Sequence, residues 1–132
     1  MEIFIDTSAF YAAMDEDDPH YGEARDAIDQ HINGQDILIC TNYIVMETVT
    51  LLQRRLGMDA VRTFAEDVLP ILKIEWIEKN DHEASLSALL TANRRQLSLV
   101  DCSSFVVMRR MGIRTALAFD AHFREQGFTV IS

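Results

Sequence analysis

Cysteine, proline and lysine are scarce in this chain, and each shortage removes a class of explanation. Only two cysteines, Cys40 and Cys102, occur in 132 residues. They lie far apart, match no metal or redox spacing, and do not make a disulfide framework. Buried free thiols in a reducing compartment are the expectation. With two prolines and five glycines there is no linker, repeat or low-complexity segment. No stretch reaches the ~18 apolar residues of a membrane span. The opening Met1-Glu2-Ile3-Phe4-Ile5-Asp6 has neither a basic n-region nor a long apolar h-region. A cytoplasmic protein with no membrane contact is expected. Positive charge is also short: 12 bases face 21 acids, a net charge of −9. That balance argues against non-specific nucleic-acid binding and fits a cation site or a basic partner. Ten of the bases are arginine and only Lys73 and Lys79 are lysine. Six arginines form the pairs Arg54-Arg55, Arg94-Arg95 and Arg109-Arg110. They suit either phosphate recognition or solvated helix ends.

What is present is an alternation. Ile3 to Ile5 is a short apolar run, as expected of a strand buried on both faces, and Asp6, Thr7 and Ser8 follow it. A helix over Ala9–Met14 and a turn at the acids 15–18 come next. Asp18-Pro19 signals a helix running to about Ile32 with Pro19 at its first position, closed by Asn33-Gly34. Ile37–Cys40 reads as the second strand. Thr41-Asn42 caps a helix over Tyr43–Leu56, and Met58–Val68 forms another that Leu69-Pro70 ends. Ile71–Ile77 reads as a third strand, with Trp76 in the core or on a dimer surface. A helix then runs from Asn80 or Asp81 to about Arg95, with Leu86, Leu89 and Leu90 facing inward. A helix over Asp101–Met111, a strand over Thr115–Phe119, a helix over Ala121–Gln126 and a strand over Phe128–Ile131 complete the chain. Such alternation implies one α/β domain over residues 1–132, an α/β/α sandwich around a parallel sheet of four to five strands.

Four acids occupy comparable places in that alternation. Asp6 and Asp120 each end a strand, Asp101 begins a helix, and Glu47 lies on the helix that follows the second strand. Ligands of open parallel sheets bind at the carboxyl edge of the strands, where these four would converge. A bare cluster of that kind repels itself unless a cation fills it. Oxygen donors without suitably spaced histidine or cysteine favour Mg²⁺ or Mn²⁺. Such ions usually work on phosphate esters. Taken singly, each acid is equally a helix cap or a surface charge.

Several stretches carry a family likeness in order along nearly the whole chain. They are Ile5-Asp6-Thr7-Ser8, Asp17-Asp18-Pro19-His20, Asn42-Tyr43 through Glu47 to Leu51-Leu52, Leu97-Ser98-Leu99-Val100-Asp101, and Ala118-Phe119-Asp120-Ala121-His122-Phe123. In these the chain resembles a PIN domain, in particular the toxin ribonucleases of VapBC toxin–antitoxin pairs. The resemblance implies divalent-metal-dependent cleavage of RNA, a homodimer and a cognate antitoxin protein. By position, Asp6, Glu47, Asp101 and Asp120 match the family's acids, and Thr7 or Ser8 its hydroxyl position.

On that reading Asp6, Asp101 and Asp120 hold the metal, and Glu47 binds through water or holds a second ion. An activated water then attacks in line, leaving a 5′-phosphate and a 3′-hydroxyl. Thr7, Ser8 and Ser98 support the acids. Arg54, Arg94, Arg95 and His122 are the candidates for holding RNA, because the chain stays acidic even with the four site acids set aside. His20, His31 and His82 read as surface or packing residues. A haloacid-dehalogenase phosphatase would need a second Asp two residues after Asp6, where Ser8 stands. A receiver domain would need paired acids at the first strand and an Asp after the third. A non-catalytic module of the same fold is the remaining alternative.

Overall fold

Ile3, Phe4 and Ile5 are all fully buried, although successive strand residues point to opposite faces of a sheet. Both faces of β1 (Glu2–Ile5) are therefore covered, as the apolar run requires. The computed structural model describes residues 1–131. Its sheet has five strands in the order β3-β2-β1-β4-β5, every pair parallel. The others are β2 (Ile37–Thr41), β3 (Lys73–Glu75), β4 (Thr115–Leu117) and β5 (Thr129–Ile131). The helices are α1 (Thr7–Met14), α2 (Tyr21–Asn33), α3 (Asn42–Arg55), α4 (Met58–Thr63), α5 (Lys79–Ala92), α6 (Leu99–Met111) and α7 (His122–Glu125). This is the parallel α/β/α arrangement expected from the alternation. The chain fills β1, β2 and β3 on one side, then β4 and β5 on the other. The order thus reverses between β1 and β4, where a crevice opens at the carboxyl edge.

One core joins the layers. Phe123 is fully buried and meets Phe4, Phe105 and Phe128, with ring centroids 6.3, 5.1 and 6.3 Å away. Short α7 is thereby anchored under the loop that carries Asp120. Cys40 and Cys102 are buried free thiols, and burial pushes the Cys40 thiol up to about 12. Among the described residues no helix is long and apolar enough to cross a membrane.

Several expectations need correction. Helix α2 starts at Tyr21, with Pro19 in the turn before it, because Asp18 accepts the His20 N–H at 2.8 Å through Oδ1. The helix expected over 58–68 leaves the α ladder at Phe64 and widens into a π turn, Phe64–Val68. There the Leu69 N–H reaches back to the Phe64 carbonyl, and Pro70 has no N–H with which to resume. The third strand shrinks to three residues, and Trp76 beyond it is 65% exposed, which rules out the core and leaves the other alternative, a dimer surface. The fifth helix ends at Ala92, where Asn93 turns left-handed. Its Leu86 and Leu90 face outward, 44% and 71% exposed. The inward line is Ser85, fully buried, and Leu89, half-buried and packed on the core.

Replacing Phe123 by alanine should cost about 3–5 kcal/mol of unfolding free energy in a urea titration. A loss under about 1 kcal/mol would show that α7 is not fixed by this aromatic contact.

Candidate active site

Each acid read from the sequence is positioned by a short local device. Asp6 is only 3% exposed and caps α1. Its Oδ2 accepts the Ser8 N–H at 3.2 Å and the Ser8 hydroxyl at 2.7 Å. Asp101 sits one turn into α6, where Ser98 closes a capping box. The Ser98 N–H donates to Asp101 Oδ2 at 3.1 Å, and Ser98 Oγ accepts the Asp101 N–H at 3.0 Å. The helix therefore begins at Leu99, before Asp101. Asp120 lies three residues past β4, which stops at Leu117 and not at Phe119, and its Oδ1 accepts the His122 N–H at 3.0 Å. In all three a backbone N–H fixes one carboxylate oxygen.

These devices bring Asp6, Asp101 and Asp120 together: one oxygen from each lies within 4.8 Å of the others. The β1 and β4 loops are pinned to each other. The Asp6 N–H donates to the Leu117 carbonyl at 3.0 Å, and the Phe119 N–H donates to Ser8 Oγ at 3.0 Å. Glu47 lies outside the trio, half-buried on α3, and near enough to feel Asp101 and Asp120.

Burial and crowding mark the electrostatics. Desolvation, then the Asp120 charge, pushes Asp6 up to about 8, against the opposing hydrogen bond from Ser8. Burial raises Asp101 too, and repulsion from Asp120 adds to it, while the Ser98 bonds and nearby His122 oppose. Glu47 is raised by burial and by both aspartates, and the Thr7 hydroxyl offsets part of this. Three hard carboxylate oxygens, with no His or Cys in the set, match the donors of Mg²⁺ or Mn²⁺. A divalent cation would stabilise the ionised carboxylates that burial and then mutual repulsion disfavour. The residues present therefore fit such an ion.

The two hydroxyls beside Asp6 have separate places. Ser8 orients Asp6 and ties it to the β4 loop, and Thr7 stands by Glu47. The remaining candidates divide. Arg54 lines a groove of about 550 Å³ with Thr7, Met46, Glu47, Thr50, Leu51 and Val100. His122 stands beside Asp101 and 3.7 Å from Glu125, which Arg94 binds at 2.9 Å. Arg95 is exposed. Neither Arg94 nor Arg95 lines the groove. Two features escaped the sequence reading. His20 stacks on Phe119, centroids 4.4 Å apart, just before Asp120, and only the Asp18-Pro19-His20 likeness hinted at it. The groove's apolar wall carries no local signal at all. A further concavity of about 580 Å³, at the β3 edge beside Arg110, includes none of the four acids.

Known proteins share the family and the fold of this chain. Residues 3–128 match the PIN domain family. The chain is 33% identical over 132 residues to the 23S rRNA-specific endonuclease VapC20 in two strains of Mycobacterium tuberculosis, covering 98% of this chain and 97% of that one. The crystal structure of M. tuberculosis VapC20, described as a Sarcin-Ricin loop cleaving toxin, superposes with a TM-score of 0.84. It is 32% identical over 96% of each chain. FitAcB from Neisseria gonorrhoeae shares the fold, with a TM-score of 0.70 at 13% identity over 100% of this chain and 97% of that one.

The raised Asp6 sets a pH dependence for the metal-free protein. Folded Asp6 holds its proton up to about pH 8, whereas the unfolded group releases it near its ordinary value of 3.8. Its contribution is therefore full below the unfolded value and is lost as pH rises toward 8. Melting in chelator should show a lower Tm at pH 8 than at pH 5. Added Mg²⁺ or Mn²⁺ should restore it at pH 8, and Asp6→Asn should shrink both effects, leaving the smaller share of Asp101 and Glu47. A Tm independent of pH and of the ion would refute the arrangement.

Proposed function

The chain belongs to the PIN-domain family, and from that premise we propose a divalent-metal-dependent endoribonuclease that serves as the toxin of a toxin–antitoxin pair. The observation that carries this reading is the Asp6–Asp101–Asp120 trio, with Asp6 buried and the other two half-buried, at the switch point of the sheet. Asp6, Asp101 and Asp120 would hold Mg²⁺ or Mn²⁺, with Glu47 contributing through water or at a second ion. Such an ion, when bound, polarises a phosphodiester and acidifies a water. The protein's own part is to fix the donors. Ser8 and Ser98 lock Asp6 and Asp101 in place, and Thr7 steadies Glu47. Arg54, His122, Arg94 and Arg95 would meet RNA phosphates, and phosphate contacts of this kind make binding sensitive to salt.

The likeness to VapC20 supports a structured loop of 23S ribosomal RNA as the substrate, met in the cytoplasm. An antitoxin protein would present Arg or Lys to the acidic centre. A homodimer is supported by the large apolar side chains Trp76, Leu86 and Leu90, which the single chain leaves exposed. A non-catalytic module of the same fold would have no reason to keep three carboxylates in mutual repulsion.

Ribosomes incubated with the purified protein and Mn²⁺ or Mg²⁺ test the proposal, with the cut mapped by primer extension. One discrete cut in 23S RNA is expected, with a 5′-phosphate product. Asp6→Asn should slow it by more than the roughly 10–100-fold that losing a ligand's supporting partner costs. Cutting by Asp6→Asn at the wild-type rate would sink the assignment.

A further inference from the structure

The groove beside Glu47 is continuous with the acid trio. Thr7 follows Asp6 in the chain, Val100 precedes Asp101, and Glu47 itself forms part of the lining. Its walls are carbon-rich: Met46, Leu51, Val100 and the methyls of Thr7 and Thr50. Met46 is 62% exposed there, a flexible thioether well suited to lie against a flat ring. Arg54 closes the far end. It is seven residues beyond Glu47 on the same face of α3, about two helical turns or roughly 10 Å along the axis. Among the described residues Arg62, Arg94 and Arg110 have a carboxylate within 4.0 Å, and of the remaining arginines Arg54 alone lines this groove. Its neighbour Arg55 lies over the Tyr11 ring. An apolar slot with acids at one end and a guanidinium at the other is complementary to a ring attached to a phosphate.

We infer that this groove is a nucleotide subsite: it seats the base next to the scissile phosphate against Met46, Leu51 and Val100, and Arg54 takes the following phosphate. The inference rests on the ribonuclease reading and specifies how that site holds its RNA. It also explains how so acidic a chain retains RNA. Apolar stacking needs no bulk charge, and one guanidinium placed at the end of the slot supplies the local attraction.

The test uses the Asp6→Asn protein, which should bind without cutting, and a fluorescein-labelled single-stranded oligoribonucleotide followed by anisotropy. Thr50→Trp, at an exposed position, fills the slot without changing charge. It should weaken binding about tenfold with the salt dependence unchanged. Arg54→Gln should weaken binding by a similar factor and reduce the salt slope by about one. An otherwise identical oligonucleotide with abasic sites should bind Asp6→Asn and its Thr50→Trp variant equally. If Asp6→Asn binds RNA and both variants bind as tightly, the subsite is wrong and the ribonuclease reading stands. Weakening by Arg54→Gln alone would also overturn it, leaving a phosphate contact without a base slot. If Asp6→Asn retains no RNA and the wild-type protein cuts none, the ribonuclease reading falls and the subsite falls with it.

Discussion

Everything at the carboxyl edge of the sheet answers to one repulsion. Asp6, Asp101 and Asp120 come from three different parts of the chain and are held with their oxygens a few ångström apart. Like charges at that separation in a partly dry setting separate or take up protons unless something restrains them. The restraint is local backbone. One oxygen of each aspartate accepts an N–H from its own segment: Ser8 for Asp6, Ser98 for Asp101 and His122 for Asp120. Each carboxylate is thus oriented before any cation arrives. That is how a ligand set avoids reorganisation at the moment of binding.

The same devices dissolve a distinction that looked sharp in the sequence. Asp6 reads there as either a helix cap or a ligand, yet the structure makes it a cap on α1 that also stands within the acidic trio. The two roles are compatible. Ser8 extends the principle across the sheet: its hydroxyl donates to Asp6 and accepts from the Phe119 backbone. The β1 and β4 loops therefore cannot drift apart without losing a buried bond.

Much of this was legible because it is written in short range. The apolar run at Ile3–Ile5 and the strand and helix alternation each state a local rule, and the structure obeys them. Boundaries were less legible. β3 stops where Trp76 turns outward, and the helix after Met58 gives way at Phe64 because the backbone must satisfy itself around Pro70. The direction of Leu86 and Leu90 could not be read from their spacing. It depends on which face of α5 the rest of the fold covers, and that face carries Ser85 and Leu89. The groove was invisible for a related reason. Met46, Thr50 and Leu51 are ordinary helix residues until Val100, remote in sequence, closes the other wall.

The parallel sheet also sets when the centre can exist. β1 pairs with β4 through Ile3↔Thr115, Phe4↔Ala116 and Ile5↔Leu117, so the first strand synthesised waits for one near the opposite end of the chain. Asp6 leaves the ribosome early and Asp120 late, and no intermediate length holds all three aspartates. A chain still being made is therefore harmless by topology. Its acids meet only when the domain closes, which ties the onset of any hazard to the completion of folding.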